Sequence, residues 1–229
     1  MSAAIRVISS MATRAVLAEL AAAYQQRHGV SVQSESVGGV DAARRVQAGE
    51  PFDVVVLASD AIDKLAASGV TIAGSKVDLV NSPVAVAVRA GATAPDIATE
   101  DALRRAVEAA ARIGYSTGPS GTALMRLFQR WGIAAAIEPR LVQAPPGVPV
   151  GQLVANGDVA LGFQQLSELI HLPGIALVGA MPQPVQISTT FSGAVCAAST
   201  QGDAARRLLA FLASPEADSA KRRHGMEPA

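Results

Sequence analysis

The order of sequence patterns along this 229-residue chain predicts an α/β fold of two lobes, each with a mostly parallel sheet flanked by helices. Short apolar runs alternate with amphipathic stretches, which is the pattern of strands and crossover helices. The pattern is interrupted at 81–83, and an extended stretch at 185–192 offers a return path. We therefore predict a discontinuous first lobe of residues 1–81 and 190–229, a second lobe of residues 82–189, and two crossing strands.

Three strand–helix pairs fill the first part of the predicted first lobe. We predict strands at 5–8, 30–34 and 52–57, and helices at 13–28, 41–48 and 59–67. Asp41 and Asp60 are the expected caps of the second and third helices, and residues 37–40 are expected to form a loop. Because crossovers between parallel strands are right-handed, this order predicts a parallel sheet covered by helices.

The predicted second lobe continues the same alternation. We predict strands at 84–88, 112–116, 141–143, 159–164 and 175–178, and helices at 99–111, 122–131, 150–156 and 167–170. Residues 117–121 are expected to form a turn. Two closing helices at 203–212 and 215–224 follow the return of the chain, so we expect them to pack on the first lobe.

The composition indicates a globular protein and excludes several classes of function. Half of the residues are hydrophobic and 17% are charged, which is too apolar for a disordered chain. The formal net charge is zero, so no global field attracts nucleic acid. No segment approaches the ~20 apolar residues of a membrane helix. We expect no nucleic-acid partner and no membrane insertion.

The cysteine and histidine content argues against redox and metal chemistry. Cys196 is the only cysteine, so no intrachain disulfide can form, and its apolar surroundings favour a buried, inert thiol. The three histidines lack ligand spacing, and no Walker, G-x-G-x-x-G or G-x-S-x-G motif occurs. We predict no metal and no cofactor, and the sequence assigns no catalytic residue.

The start of the chain bears on its location in the cell. Residues 1–4 lead directly into the first strand, without the basic start and apolar stretch of a signal peptide. The sequence as written predicts a cytoplasmic protein. It predicts a periplasmic one if a signal peptide has been removed.

Small polar turns follow several predicted strands, where ligands bind in open α/β sheets. Helix N-termini at such turns present free N–H groups and partial positive charge, and hydroxyl groups add further donors. The predicted ligand-binding residues of these turns are Ser9, Ser10, Met11, Ala12, Gly38, Gly39, Val40, Ser59, Ser120, Gly121 and Thr122. The alternative for each turn is ordinary helix capping. Taken together, the turns predict a site for a small anion.

Two further stretches belong to the same predicted site. Val148 and Pro149 lie in a loop that precedes a predicted helix. Gln164 and Gln165 end an apolar strand, where an amide needs a hydrogen-bond partner. Because successive side chains of a strand point to opposite faces, we expect one glutamine to face the ligand and the other to pack elsewhere. The alternative is a pair of glutamines in a surface turn.

Several segments resemble the molybdate-binding proteins of bacterial ABC importers, a branch of the periplasmic binding proteins. The segments are 5–13, 42–56, 81–86, 157–162 and 211–225. The most specific is Ala-Gly-Glu-Pro-Phe-Asp-Val at 48–54, followed by a Ser-Asp turn at 59–60. The resemblance covers nearly the whole chain. It implies a type II periplasmic-binding-protein fold, a small anion between the lobes, and an ABC importer permease as partner if the protein is exported.

The residues that carry the ligand differ from the pattern of the molybdate binders. In those proteins the first two turns each supply a serine, whereas here the second turn reads Val37-Gly38-Gly39-Val40. Their tyrosine at a later strand end is replaced by Gln165. The resemblance therefore implies either an oxyanion or an organic carboxylate as ligand. Arg14, next to the first turn, is the nearest arginine for pairing with a carboxylate.

The same family includes an enzyme, aconitate isomerase, which this chain is similar to in kind. The alternative function is therefore a cytoplasmic isomerase of a small unsaturated di- or tricarboxylate. Such an enzyme takes a proton from a carbon beside a carboxylate and returns one nearby. Asp41 and Asp60 lie beside the predicted turns, but both are explained as helix caps.

Overall fold

The computed structural model describes residues 4–229, and the predicted entry of residues 1–3 into the first strand lies outside that range. The described chain divides into two compact units. Unit 1 comprises the described part of Met1–Ser82 together with Thr190–Ala229. Unit 2 is the continuous segment Pro83–Thr189.

Unit 1 begins with three strand–helix pairs whose strands lie side by side. Its elements are β1 (Ile5–Ser10), α1 (Arg14–His28), β2 (Val32–Val37), α2 (Gly39–Gln47), β3 (Val54–Ala58) and α3 (Ser59–Ala67), and after the return of the chain α9 (Gly202–Ala213), α10 (Asp218–Arg223) and β10 (Glu227–Pro228). β1 pairs in parallel with both β2 and β3, so β1 lies between them. The parallel order predicted from the strand–helix alternation is confirmed.

Unit 2 repeats this plan with its own three parallel strands. Its elements are α4 (Glu100–Ala109), β5 (Ile113–Tyr115), α5 (Pro119–Arg130), α6 (Ala134–Ile137), β6 (Leu141–Gln143), α7 (Val150–Asn156), β7 (Leu161–Gln165), α8 (Leu166–Leu169) and β8 (Ile175–Ala180). β5 pairs in parallel with β6 on one side and with β7 on the other.

Two long strands pass from one unit to the other, β4 (Val77–Arg89) outward and β9 (Ser188–Val195) on the return. β4 runs unbroken through residues 81–83, so the strand predicted at 84–88 begins earlier, at Val77. Proline removes one backbone donor but keeps an extended φ, so Pro83 fits a strand wherever its missing N–H is not required. β4 then pairs antiparallel with β7 and β8 in unit 2.

Strands at the centre of unit 1 are buried on both faces. Val54 and Val56 of β3 pack into one apolar cluster with α1 and α9, whereas Val55 and Leu57 pack into a second cluster with α2 and α3. This division follows from the alternation of side chains along a strand. The predicted α/β fold class, two lobes of mostly parallel sheet flanked by helices, is confirmed.

Cys196 is buried in unit 1, as the sequence predicts. Burial, with a smaller contribution from the nearby Asp53 carboxylate, raises the pKa of its thiol to about 12. A thiol with that pKa is protonated at neutral pH, so it is a poor nucleophile. Within residues 4–229, no helix combines the length and the apolar character required to cross a bilayer.

Candidate functional site

The three parallel strands of unit 1 end at one edge of the sheet, and a helix follows each of them. Ser10 at the end of β1 lies opposite Val37 at the end of β2, and Ser9 lies opposite Val56 of β3. A short 3-10 turn (Met11–Thr13) leads from β1 to α1, while α2 and α3 begin directly beyond β2 and β3. The pairing therefore places most of the predicted unit 1 residues at a single edge.

Ser9 and Ser10 have different environments although they are neighbours. Ser9 is fully buried, and its hydroxyl lies 2.8 Å from the hydroxyl of Ser36 and donates to the carbonyl of Ser10. The hydroxyl of Ser10 is also buried, with 8% of the residue exposed, but it has no hydrogen-bond partner among residues 4–229. Of the two, only Ser10 has a hydroxyl without any partner in the described chain.

The first turn of α2 lies next to Ser10. A Cβ atom placed on Gly39 would be 3.8 Å from Cβ of Ser10. The predicted loop at 37–40 is wrong in part, because the helix begins at Gly39 and Val40 belongs to its first turn with 77% of its surface exposed. The first N–H to donate within α2 is that of Ala42, so the three preceding N–H groups have no partner in the helix.

Asp41 and Asp60 are not the N-caps that the sequence predicts. The cap positions are Gly38 and Ala58, neither of which makes a side-chain cap hydrogen bond. Asp41 and Asp60 lie instead in the first turns of α2 and α3, where a carboxylate favours the positive end of the helix dipole. Asp41 is half-buried and Asp60 is exposed, and they pair with Arg44 and Lys64 of their own helices.

The other predicted residues of unit 1 surround this edge to different extents. Met11 and Ala12 form the 3-10 turn, and Ala12 is buried. Ser59 is the first residue of α3 and is partly exposed. Arg14 is exposed at the start of α1 and forms no ion pair within the described part of the chain. Its predicted pairing with a carboxylate ligand stays a prediction.

The three parallel strands of unit 2 likewise end at one edge. Tyr115 at the end of β5 lies opposite Gln143 of β6 and Phe163 of β7. α5 follows β5, the loop at 144–149 and α7 follow β6, and α8 follows β7. The remaining predicted residues therefore lie at this second edge.

α5 begins three residues earlier than predicted. Pro119 is its first residue, a position that suits proline because the N–H it lacks would have no partner in the helix. Ser120 is buried with its hydroxyl 3.0 Å from that of Ser116, whereas Thr122 is exposed and its N–H donates to Gly118 within the helix. Thr122 therefore has no free N–H for a ligand.

Gly121 has a packing role in the first turn of α5. A Cβ atom on Gly121 would lie 1.9 Å from the carbonyl oxygen of Ser116, a separation that no side chain can adopt. The glycine lets the helix approach the preceding backbone closely. The sequence predicted Gly121 as a ligand-binding residue, whereas the structure explains the need for glycine there by backbone packing within the unit.

The loop before α7 provides less than predicted. The N–H of Val148 donates to the carbonyl of Pro145, and Pro149, the N-cap, has none. The N–H of Gly151, in the first turn of α7, donates instead to Oε1 of Gln164. Neither Val148 nor Pro149 offers a free backbone donor. The N–H of Val148 is already bonded within the loop, and proline has no N–H.

Gln164 and Gln165 are both buried, with 3% and 4% of their surfaces exposed, which excludes a surface-turn pair. Their side chains make separate contacts, as the alternation along a strand requires. Nε2 of Gln165 donates to Oγ1 of Thr189 at 2.8 Å, and its Oε1 is buried without a partner among residues 4–229. Gln164 uses both ends of its amide, accepting from Gly151 and donating to Glu168.

Glu168, in α8, is an ionisable residue at this edge that the sequence did not single out. It is partly buried, and Nε2 of Gln164 donates to its Oε1 at 2.8 Å. Burial raises the pKa of Glu168 to about 7, and the hydrogen bond from Gln164 opposes the shift only in part. A carboxyl group with that pKa can accept and donate a proton near neutral pH. The sequence signal that could have identified Glu168 is its spacing of four residues from Gln164 across the strand–helix junction.

The two edges offer different chemistry. Unit 1 has an unpaired hydroxyl beside helix N-termini, which suits a negatively charged group. Unit 2 has a buried amide with one unused atom and a carboxyl group that titrates near neutrality. In the described part of the chain, no group of three or more His, Cys, Asp or Glu side chains could hold a metal ion.

Comparisons with known proteins agree with this architecture. A 40% identical relative, aconitate isomerase from Pseudomonas sp., matches in an alignment 228 residues long that covers 97% of this chain and 87% of that protein. The periplasmic molybdate-binding protein of Azotobacter vinelandii superposes with a TM-score of 0.80 at 19% identity, over 97% of this chain and 98% of that one. A tungstate-binding protein from Desulfovibrio alaskensis superposes at 0.68 with 14% identity, over 95% and 93%.

The two structural neighbours establish the fold, and their identities are too low to carry more. A family model described as bacterial extracellular solute-binding protein matches residues 5–227, which is nearly the whole chain. The resemblance found in the sequence is therefore confirmed, and the chain belongs to the bacterial extracellular solute-binding protein family.

Proposed function

We propose that the protein is a solute-binding protein for a small anion, and that the anion is an organic carboxylate. The observation that carries this proposal is the buried hydroxyl of Ser10, which has no partner among residues 4–229 and lies beside the first turn of α2. A buried hydroxyl without a partner costs about 1–3 kcal/mol. Binding an anion there removes that cost and also satisfies free N–H groups of the helix.

The choice of a carboxylate rests on the residues around Ser10. The turn at Gly38 and Gly39 supplies backbone N–H groups but no hydroxyl. The site therefore has too few hydrogen-bond donors to satisfy all the oxygens of a tetrahedral oxyanion. A carboxylate has two oxygens and needs fewer donors. The 40% identical relative is named for a carboxylate substrate, which favours the same class.

The test is a thermal-shift titration with molybdate, tungstate, sulfate, and a panel of di- and tricarboxylates. We expect a tricarboxylate at one hundred times its Kd to raise Tm by about 5–10 °C, because ligand bound only to the folded state stabilises it by about 2.7 kcal/mol. Absence of a shift with every anion would contradict the proposal. A shift with molybdate and none with carboxylates would retain the anion site and reject the ligand class.

An importer role also requires a partner. Under this proposal the protein acts outside the cytoplasm and delivers its ligand to an ABC importer permease. Cell fractionation of the natural host tests the location. Recovery of all the protein in the cytoplasm would exclude delivery to such a permease.

A second candidate function is isomerisation of a small unsaturated carboxylate. It is favoured by the 40% identity to aconitate isomerase across 97% of this chain. Proton NMR of the protein with cis- and trans-aconitate tests it. We expect interconversion with uptake of solvent deuterium, and spectra that do not change over hours at micromolar protein would reject it.

A further inference from the structure

We propose that Glu168 is the group that takes a proton from, and returns a proton to, a carbon acid bound at the strand edge of unit 2. The inference rests on the isomerase candidate and names the residue that performs its central step. Four observations in unit 2 carry it: the position of Glu168, its fixed orientation, the buried amide of Gln165 with an unused atom, and the N-terminus of α5 at the same edge.

The position of Glu168 follows from the way β7 ends. Gln165 is the last residue of the strand and the N-cap of α8, so Glu168 lies in the single turn of helix that follows. β5 is the parallel neighbour of β7, with Tyr115 opposite Phe163. The N-terminus of α5 and the residues from Gln164 to Glu168 therefore emerge at the same edge from adjacent strands.

The carboxyl group of Glu168 is held by a chain of hydrogen bonds. The N–H of Gly151 donates to Oε1 of Gln164 at 3.2 Å, and Nε2 of Gln164 donates to Oε1 of Glu168 at 2.8 Å. Both ends of the Gln164 amide are thereby used, which fixes its orientation and that of the carboxyl group. A base positioned by a neighbour in this way needs little reorganisation to reach its substrate.

The surroundings of Glu168 match the requirements of an acid–base group. β7 and α7, which hold Glu168 through Gln164 and Gly151, carry no ionisable side chain, whereas β4, which packs against Leu169 of α8, carries Asp78 and Arg89. The nearest ionisable residue along the chain is the exposed His171. Burial with a single amide donor keeps the pKa of Glu168 near neutrality, at about 7. At neutral pH the residue is therefore present in both protonation states.

Unused polar atoms also occur in the residues that end β7 and form α8. Oε1 of Gln165 and Oγ of Ser167 are both buried, and neither has a partner among residues 4–229. Turning the Gln165 amide over would pair its oxygen with Thr189 and leave the nitrogen unused, so one amide atom is available in either orientation. Two unpaired buried groups in a three-residue stretch are rare in a folded protein, and they indicate a place for a polar ligand.

The proposed step is balanced within the substrate and Glu168. The Glu168 carboxylate accepts a proton from a carbon beside a carboxyl group, the C–H bond breaks, and its electron pair delocalises into the conjugated acid. An O–H bond forms on Glu168 in the same step. Glu168 then returns the proton to the carbon at the other end of the allylic system, so the double bond moves and the carboxylate is restored. The free N–H groups of Ser120 and Gly121 in α5 stabilise the intermediate charge, and the Gln165 amide adds a donor when it is turned so that its nitrogen is the unused atom.

The experiment follows trans-aconitate in deuterated buffer by proton NMR, with Glu168→Gln, Glu168→Asp and the matched control Glu138→Gln. Glu138 is an exposed glutamate of the same unit. We expect Glu168→Gln to exchange protons 100- to 10,000-fold more slowly than wild type while keeping its trans-aconitate affinity within about threefold. Glu138→Gln should exchange at the wild-type rate.

The pH profile distinguishes an acid–base role from a structural one. Exchange by wild type should rise with pH and level off above about pH 7, as Glu168 becomes the carboxylate. Glu168→Asp should retain a slower exchange that still depends on pH, and it replaces Glu168→Gln as the deciding variant if the latter does not fold.

The possible failures have different meanings. Equal exchange by wild type and Glu168→Gln would overturn the assignment of Glu168 and leave the isomerase candidate standing. Wild type that binds trans-aconitate without exchange would overturn both the isomerase candidate and this inference while solute binding stands. Wild type that binds no anion at all would overturn the proposed function and this inference together.

Discussion

Unit 1 and unit 2 are built on the same plan but equip their strand edges differently. In each, three parallel strands end together and are followed by helices. The edge of unit 1 carries the Ser10 hydroxyl beside exposed first turns whose carboxylates, Asp41 and Asp60, face solvent. The edge of unit 2 carries buried amides and the partly buried Glu168.

The difference shows how one architecture can support two chemical tasks. Free N–H groups and a hydroxyl have no titratable proton near neutrality, so they hold a charge without exchanging protons. A carboxyl group beside a neutral amide can exchange a proton but attracts an anion poorly once it is ionised. The two proposals therefore put anion capture in unit 1 and proton exchange in unit 2, and the following substitutions test that division.

The largest expected effect is a difference in stability between alanine variants at two glycines, one in the first turn of α2 and one in the first turn of α5. Gly121→Ala should lower the free energy of unfolding by about 3 kcal/mol or more, because the new Cβ would meet the Ser116 carbonyl at 1.9 Å. Gly39→Ala meets only ordinary contacts, the nearest at 3.8 Å, so we expect a change of at most about 1 kcal/mol, in the stabilising direction. Urea denaturation measures both, and equal losses would show that the two turns are packed alike.

The next effect concerns the pH dependence of stability. The pKa of Glu168 is raised from 4.5 to about 7, so its contribution to stability is fully present below pH 4.5 and is lost as the pH rises through 7. The loss is at most on the order of 3 kcal/mol, from about 1.4 kcal/mol per pKa unit. Glu168→Gln should remove this loss, so the stability of the variant relative to wild type should rise between pH 5 and 8.5. Urea midpoints at both pH values test this, with Glu138→Gln expected to follow wild type.

A smaller effect distinguishes the two serines of unit 1. Ser10→Ala removes a hydroxyl with no partner in the described chain, so we expect unchanged or slightly higher stability and at least tenfold weaker binding of the carboxylate ligand. Ser9→Ala breaks the pair with Ser36 and should cost about 1 kcal/mol of stability with little change in affinity. Denaturation and isothermal calorimetry give the two quantities. The reverse pattern would move the ligand contact to Ser9.

The smallest effect is expected at the exposed carboxylates of unit 1. Asp41→Asn and Asp60→Asn should each change stability by less than about 0.5 kcal/mol, since surface ion pairs contribute little. Urea denaturation at pH 5 and 8.5 measures both variants. A change as large as that of Glu168→Gln would mean that unit 1 also has a titrating site.

The features predictable from the sequence were those that depend on local alternation. The parallel strands of both units follow from short apolar runs between amphipathic stretches, and the resemblance around 48–60 identified the family. The predicted helix starts were wrong where glycine or proline suggested a loop, as at Gly39 and Pro119. Both residue types fit the first turn of a helix. The division of the ligand between two lobes stays a prediction.

The features that were missed depend on contacts distant in sequence. Nothing local distinguishes Ser9 from Ser10, because the difference is set by Ser36 on the neighbouring strand. Glu168 looks like an ordinary surface glutamate until β7 and α7 enclose it. β10 has two residues and is held by pairing with β4 around Asn81, which no sequence pattern reveals.

The discontinuity of unit 1 has a consequence for the newly made chain. Synthesis proceeds from the N-terminus, so Pro83–Thr189 is complete before the ribosome has produced α9 and α10. Ile5 and Val7 of β1 share their apolar cluster with Leu208 and Leu209 of α9, and until those arrive only α1 covers this face of the strand. We therefore expect the nascent protein to be most vulnerable to aggregation at β1 and β3, and unit 2 to be the first part to reach its native form.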